Sequence, residues 1–195
     1  MYLTFVLIGC SDTQEAKVVD QSKFDAVLLL KDQELNDAYN ALTDLERTTM
    51  WNQKLESNLA NSDFTSKQRQ LIQELIDFNN NMTNLSEVDL RGFEKNWVEK
   101  AEKIFNTEQI KKIAFQLKAK NEIITKNDDT SSAGRIQTED PNHRSCNCNA
   151  GSLYSCDTPT YSCPSAIGNC KNLTASGCGF LWLHPCNQVC IYTVD

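Results

Sequence analysis

The chain has 195 residues, a net charge of −7 and nine cysteines, eight of which lie between Cys146 and Cys190. An acidic chain without a basic block is a poor partner for nucleic acid or anionic lipid, and no run approaches the roughly 18 apolar residues of a membrane span. Residues 1–145 carry 18 basic and 24 acidic residues, whereas residues 146–195 carry one and two. This contrast predicts two segments with separate cores, which argues against a single-domain cytosolic enzyme.

The first ten residues form an apolar stretch that ends at a cysteine. Met1–Gly9 is almost wholly apolar, Cys10 follows, and polar residues begin at Ser11. Nine residues are too few for a membrane-spanning helix but suit the end of a signal peptide. Leu7-Ile8-Gly9-Cys10 resembles the bacterial lipobox, which implies a lipoprotein signal over residues 1–10 and a membrane anchor through lipid on Cys10. The alternative is a buried N-terminal strand in which the Cys10 thiol is inert.

Helix signals dominate residues 22–123, after a polar segment over residues 11–21 that we interpret as a tether. Apolar residues recur at helical spacing, and Thr43-Asp44-Leu45-Glu46 has the pattern of a capping box. We predict five or six short amphipathic helices packed as a small bundle, hence a mainly α fold. Residues 27–30 are also compatible with a short strand. The predicted helix starts are Ser22, Asp32, Thr43, Thr65 or Ser66, Ser86 and Thr107.

The helical domain offers no catalytic constellation. Residues 22–123 contain no histidine and no cysteine, and their acidic residues fit solvated helix faces and first-turn charges. Trp51 and Trp97 are compatible with a ligand groove, although large aromatic residues at helical spacing usually belong to a core. We therefore expect an interaction or carrier role, with no enzymatic activity and no cofactor.

A polar linker and a cysteine-rich tail follow. Residues 124–145 predict a flexible linker, in which Arg135 and Arg144 are candidate protease sites unless the segment is a passive spacer. Residues 146–195 predict a disulfide-rich domain, because so short a segment cannot stabilise its fold by burial alone. We leave the pairing unassigned. The predicted disulfide-forming residues are Cys146, Cys148, Cys156, Cys163, Cys170, Cys178, Cys186 and Cys190.

Zinc is the competing interpretation of the tail. The pairs Cys146/Cys148 and Cys186/Cys190 are conceivable ligands, but zinc sites favour two to four residues between the members of both pairs. The first pair is separated by a single residue, so we predict no metal. His184 stands before Pro185 and is interpreted as a turn residue rather than as a ligand or base.

The end of the tail predicts an antiparallel β-hairpin. Residues 178–183 and 188–194 favour strands, and residues 184–187 have turn character. Strand alternation turns two of the four apolar residues at 180–183 toward each face, so part of this surface is expected to be exposed to a membrane or protein partner. The equally weighted alternative is that the helical domain covers it. The candidate contact patch comprises Phe180, Leu181, Trp182 and Leu183.

Two stretches of the tail carry a family resemblance. Residues 146–156 read C-N-C-N-A-G-S-L-Y-S-C and resemble the opening of fulvocin C, a small myxobacterial bacteriocin with eight cysteines. The motif Ser176-Gly177-Cys178-Gly179, with Trp182, Cys186-Asn187 and Cys190 after it, is similar to its close. The whole chain resembles the bacteriocin fulvocin C-related lipoproteins of the Bacteroidetes, and the similarity to the bacteriocin itself covers only the tail.

The resemblance implies a bacteriocin-like lipoprotein of the outer membrane or cell surface. Its disulfide-stabilised tail, retained on the cell or released, would then act on or bind an envelope target or receptor of other bacteria. The lipid on Cys10 and the helical domain depart from a small diffusible peptide. The alternative function is therefore a non-toxic surface lipoprotein for binding, adhesion or immunity.

Overall fold

A computed structural model describes residues 21–82, 85–118, 145–156, 161–164 and 170–192. Cys10 lies outside these ranges, as do the predicted tether apart from Gln21 and the predicted linker apart from Ser145. The described part of the chain forms six helices followed by a small disulfide-bonded tail, which confirms the predicted fold class. The helices are α1 Gln21–Leu29, α2 Asp32–Asn40, α3 Asp44–Leu59, α4 Ser66–Asn81, α5 Glu87–Ala101 and α6 Thr107–Ala114. None of them is long and apolar enough to cross a membrane.

Three helices begin where the sequence predicts, because side chains satisfy the free amides of the first turn. Thr43 accepts a hydrogen bond from the amide of Glu46, and the Glu46 carboxylate accepts one from the amide of Thr43. The same reciprocal pattern starts α4 at Thr65 and α5 at Ser86. A local sequence signal therefore fixes the boundaries of half of the described helices.

Four other local predictions need correction. Ser22 lies inside α1, which includes Gln21, so Ser22 does not cap this helix. Asn106, not Thr107, caps α6, and its side chain accepts a hydrogen bond from the amide of Gln109. Helix α2 follows Lys31, whose side chain makes no capping bond, so the predicted cap at Asp32 is one residue late. The strand alternative for residues 27–30 is also wrong, since α1 continues to Leu29.

The core lies between the helices and contains both tryptophans of the helical domain. Trp51 is 1% exposed and Trp97 is fully buried, which matches the interpretation of these residues as core. Each indole N–H finds an acceptor, the Tyr39 hydroxyl at 3.2 Å and the Leu71 carbonyl at 2.9 Å respectively. Burial of such large side chains is therefore not opposed by an unpaired polar atom.

The tail contributes residues to this same core. Phe180 is 1% exposed and Leu181 is fully buried, and both pack among the apolar side chains of the helices. The Phe180 ring lies 5.7 Å from that of Trp97 and 5.5 Å from that of Phe115, measured between centroids. The two segments therefore share one core, contrary to the expectation drawn from their compositions.

The local structure around Phe180 also differs from the predicted strand. Phe180–Trp182 forms a tight turn, in which Leu181 and Trp182 have left-handed φ angles of 47° and 54°. This turn carries Phe180 and Leu181 toward the helices, and Trp182 and Leu183 remain half-buried against them. The candidate contact patch is consequently covered by the helical domain, which was the alternative left open by the sequence.

Short antiparallel strands flank this turn. Strand β2, Gly177–Cys178, pairs with β3, His184–Pro185, so a small hairpin is present. Its turn lies at residues 179–183, so the predicted turn at residues 184–187 and the predicted pairing of residues 178–183 with 188–194 are wrong. Strand β1, Tyr161–Ser162, pairs with β4, Ile191–Tyr192. With two residues in each strand, the ladders are too short to stabilise the tail, which leaves that role to the disulfides and to the helices.

Candidate functional site

All eight predicted cysteines of the tail are joined in disulfides. The bonded cysteines are separated by 8 to 34 positions in the sequence, and Cys146 and Cys186 are fully buried. So many disulfides are typical of an extracellular or secreted protein. The bonds are Cys146–Cys170, Cys148–Cys163, Cys156–Cys190 and Cys178–Cys186.

A buried carboxylate holds the tail on α5. Glu94 is only 2% exposed, and one of its oxygens accepts hydrogen bonds from the Ser152 hydroxyl at 2.7 Å and from the Leu153 amide at 2.9 Å. The other oxygen lies 3.1 Å from Nε2 of His184. A buried carboxylate is tolerated only when such donors replace water, so these tail groups and Glu94 stabilise one another.

His184 lies between two carboxylates of α5. Its ring is 1% exposed, Nε2 faces Glu94, and Nδ1 stands 3.2 Å from Oε1 of Glu87. Nδ1 and the Glu87 carboxylate lie within ion-pair distance, but their geometry is not that of a hydrogen bond. The predicted role of His184 as a turn residue is therefore wrong, because His184 lies in strand β3 and its side chain is a buried contact with the helical domain.

Gly179 allows the polar cluster to close. A β-carbon at this position would lie 2.5 Å from Oγ of Ser152 and 2.9 Å from Cδ2 of His184. The φ of 69° at Gly179 also favours glycine. We define the Glu94 cluster as Glu94, Ser152, Gly179 and His184. Any larger residue at position 179 would separate the groups that the cluster brings together.

Two polar contacts extend the attachment along α2 and α5. Arg91 donates to the Asn149 side chain at 2.8 Å and also pairs with Glu87. Asn40 donates to the Ser176 carbonyl at 3.0 Å and accepts from the Ser176 amide at 3.2 Å. These bonds reach Asn149 and Ser176, which lie in two separate segments of the tail. Together they fix the orientation of the tail on the helices.

Aromatic contacts complete the attachment around Trp182. The Trp182 ring stands edge-on to Tyr39 at 5.1 Å, and its N–H donates to the Phe115 carbonyl at 3.0 Å. Burial raises the pKa of Tyr39 above its ordinary value, which keeps the phenol neutral. A cavity of about 200 Å³ lies beside these rings, and the buried Oδ1 of Asn79 on its wall has no hydrogen-bond partner among the described residues.

The cluster is arranged for attachment rather than for nucleophilic catalysis. The Ser152 hydroxyl donates to Glu94 and not to the His184 ring, whereas an activated serine donates to its base. All three residues are nearly inaccessible to a substrate: Ser152 is 9% exposed, Glu94 2% and His184 1%. Their contacts join the two segments of the chain.

Sequence reasoning missed Glu94, although a signal was present. Glu94 stands three residues before Trp97 and seven before Ala101, hence on the buried stripe of α5. A carboxylate on an apolar stripe predicts a buried polar partner. The identity of that partner, a histidine 90 residues later, is not encoded in any local pattern.

The tail exposes a different set of apolar residues from the predicted patch. Their exposed fractions range from 36% to 69%. We define the outer tail surface as Leu153, Tyr161, Leu173 and Ile191. These side chains, rather than Phe180 and Leu181, are available to another molecule.

Comparison with known proteins assigns no family. No protein-family model, no curated protein and no solved structure matches this chain.

Proposed function

We propose that this chain is a lipid-anchored protein of the bacterial cell surface that binds an envelope component and does not kill. The observation that carries the proposal is the attachment of the tail: Phe180 and Leu181 lie in the core of the helical domain. Packing of this kind favours a tail that stays attached to the helical domain. The four disulfides support an extracellular site of action, and the lipid on Cys10 stays a prediction from the sequence.

The cost of detaching the tail supports a permanent attachment. Full burial of one phenylalanine or leucine contributes about 1.5–3 kcal/mol, so exposing Phe180 and Leu181 costs about 3–6 kcal/mol. Detachment would also remove three donors from the buried carboxylate of Glu94. A segment held this firmly serves as a rigid part of a binding protein.

The binding face that we propose is the outer tail surface. Leu173 is 69% exposed and Ile191 is 45% exposed, on a scaffold that the disulfides and the Glu94 cluster hold rigid. Rigid apolar side chains lose little entropy on binding. The chain's net charge of −7 argues against electrostatic attraction to anionic membranes, so a protein or glycan of the envelope is the partner class that we favour.

Intact mass analysis of the protein from its native cells tests this proposal. We expect one species that begins at lipidated Cys10 and keeps the tail, with eight oxidised tail cysteines, and no growth inhibition by the purified protein. A matched pair of variants, Leu173→Asp on the outer face and Lys95→Asp on α5, separates binding from folding. Binding to purified envelopes should fall only in the first variant. An unlipidated cytoplasmic protein with reduced cysteines would refute the proposal.

A latent bacteriocin is the second candidate, and the same burial gives it a specific rationale. The helical domain covers Phe180 and Leu181, as a protective segment would cover the active face of a toxin in its producer. Cleavage at Arg135 or Arg144 would then release the tail that resembles fulvocin C. A released fragment that begins near Ser145 and inhibits related bacteria would favour this candidate over the first.

A further inference from the structure

A second cavity, away from the Glu94 cluster, opens between α1, α3 and α6. Its volume is about 730 Å³, which lies in the range of small-molecule sites. The described residues that line it include three lysines and no acidic residue, in a chain whose net charge is −7. We define the lysine groove by its apolar wall and its cations. The apolar wall comprises Phe24, Leu28, Met50, Phe64, Ile113 and Leu117, and the cations are Lys54, Lys112 and Lys118.

Lys54 is the most informative of these cations. Its ammonium donates to the Ile113 carbonyl at 3.0 Å and to the Gln116 carbonyl, and it lies 4.4 Å from the centroid of the Trp51 ring. The ordered carbonyls at the end of α6 attract a cation. Among the described residues, however, no carboxylate lies within ion-pair distance of Lys54.

A cation without a counter-ion is costly in a partly buried site. Burial lowers the pKa of Lys54 well below its ordinary value, because the charged form has lost water. An ammonium has three donors, and the two carbonyls use two of them. A ligand anion would supply an acceptor for the remaining donor and a negative charge that favours the ammonium over the neutral amine.

We propose that the lysine groove binds a single-chain lipid anion, with its alkyl chain on the apolar wall and its head group at Lys54 and Lys112. The apolar residues Leu28 and Phe64 are half-buried and leave surface for a chain to cover. Lys112 is exposed on the same wall of α6, so it can meet a head group without losing a partner within the described structure. This inference is independent of the proposed role of the tail.

Displacement of a fluorescent fatty acid from the oxidised full-length chain tests the inference. We expect saturable binding of one equivalent and displacement by stearate or lysophosphatidate, whose relative affinities identify a carboxylate or a phosphate head group. Stearyl alcohol, which lacks the charge, should bind about tenfold more weakly. Equal binding of the alcohol, or no saturable binding, would overturn the proposal.

Three lysine variants separate the site from general charge effects. Lys54→Met should weaken stearate binding at least about tenfold and Lys112→Gln several-fold, whereas Lys95→Gln, an exposed residue of α5, should match the unmodified chain. If Lys54→Met fails to fold, the Lys112→Gln measurement still decides. Unchanged affinity in Lys112→Gln would then refute the assigned head-group site. Binding that appears only after removal of residues 1–20 would instead identify the chain's own apolar N-terminus as the occupant.

Discussion

Replacement of Phe180 by alanine is the sharpest test of the shared core. Four aromatic rings, those of Phe78, Phe93, Trp97 and Phe115, surround Phe180 with centroid distances between 5.5 and 6.5 Å. Truncation of a buried phenylalanine costs about 3–5 kcal/mol, and the loss of several aromatic pairs places this site near the top of that range. For a chain of this size, the melting temperature should fall by about 6–20 °C.

The assay must show that the tail mutation destabilises the helices. Hydrogen–deuterium exchange of peptides from α5 and from residues 177–186 should accelerate together in Phe180→Ala, with all disulfides intact. Leu173→Ala, an exposed tail residue, is the matched control and should change the free energy of unfolding by less than about 0.5 kcal/mol. If α5 exchanges at its original rate in Phe180→Ala, the shared core does not exist in solution.

Three further predictions concern the Glu94 cluster, the Glu46 carboxylate and one disulfide. Glu94→Ala should lower the free energy of unfolding by about 3–5 kcal/mol, because three buried donors lose their acceptor, whereas exposed Glu99→Ala should leave the urea midpoint nearly unchanged. Hydrogen bonds from Lys23 and Thr43 lower the pKa of Glu46 to about 2, so the stability that Glu46 contributes is present above its ordinary pKa of 4.5 and is lost as the pH falls toward 2. In Glu46→Gln, the urea midpoint should therefore depend less on pH over that window. An unchanged slope of the urea midpoint against pH would contradict this prediction. Replacing both cysteines of the 34-residue Cys156–Cys190 loop by alanine should cost about 4 kcal/mol in urea unfolding, and a loss below about 1 kcal/mol would mean that the bridge restricts little of the unfolded chain.

Local signals were sufficient for the helices but not for the attachment of the tail. A capping box is complete within four residues, so Thr43 and Ser86 reveal their helix starts without any tertiary information. The conformation and burial of residues 180–183 depend on residues that are distant in the sequence. Their apolar run predicted a strand with an exposed face, yet Phe180 packs against Trp97 and Phe115 from a turn with φ angles above zero on its next two residues.

Composition was misleading for the same reason. The tail has few aliphatic residues and cannot form a large core alone, which correctly predicts the disulfides. It supplies Phe180 and Leu181 to the core of the helices instead, and the charged helical segment gave no indication that its own core was incomplete. Glu94 was a local anomaly on α5, since it placed a carboxylate among Trp97 and Ala101.

The late position of Phe180 and Leu181 has a consequence for biosynthesis. Leu181 is made 63 residues after Lys118, the last described residue of the helical segment, an interval of about 3–13 s at ordinary rates of translation. During that time the nascent helices lack two of their central side chains, so the core around Trp97 and Phe115 stays incomplete. Folding of this chain therefore finishes after synthesis, once its C-terminus is present.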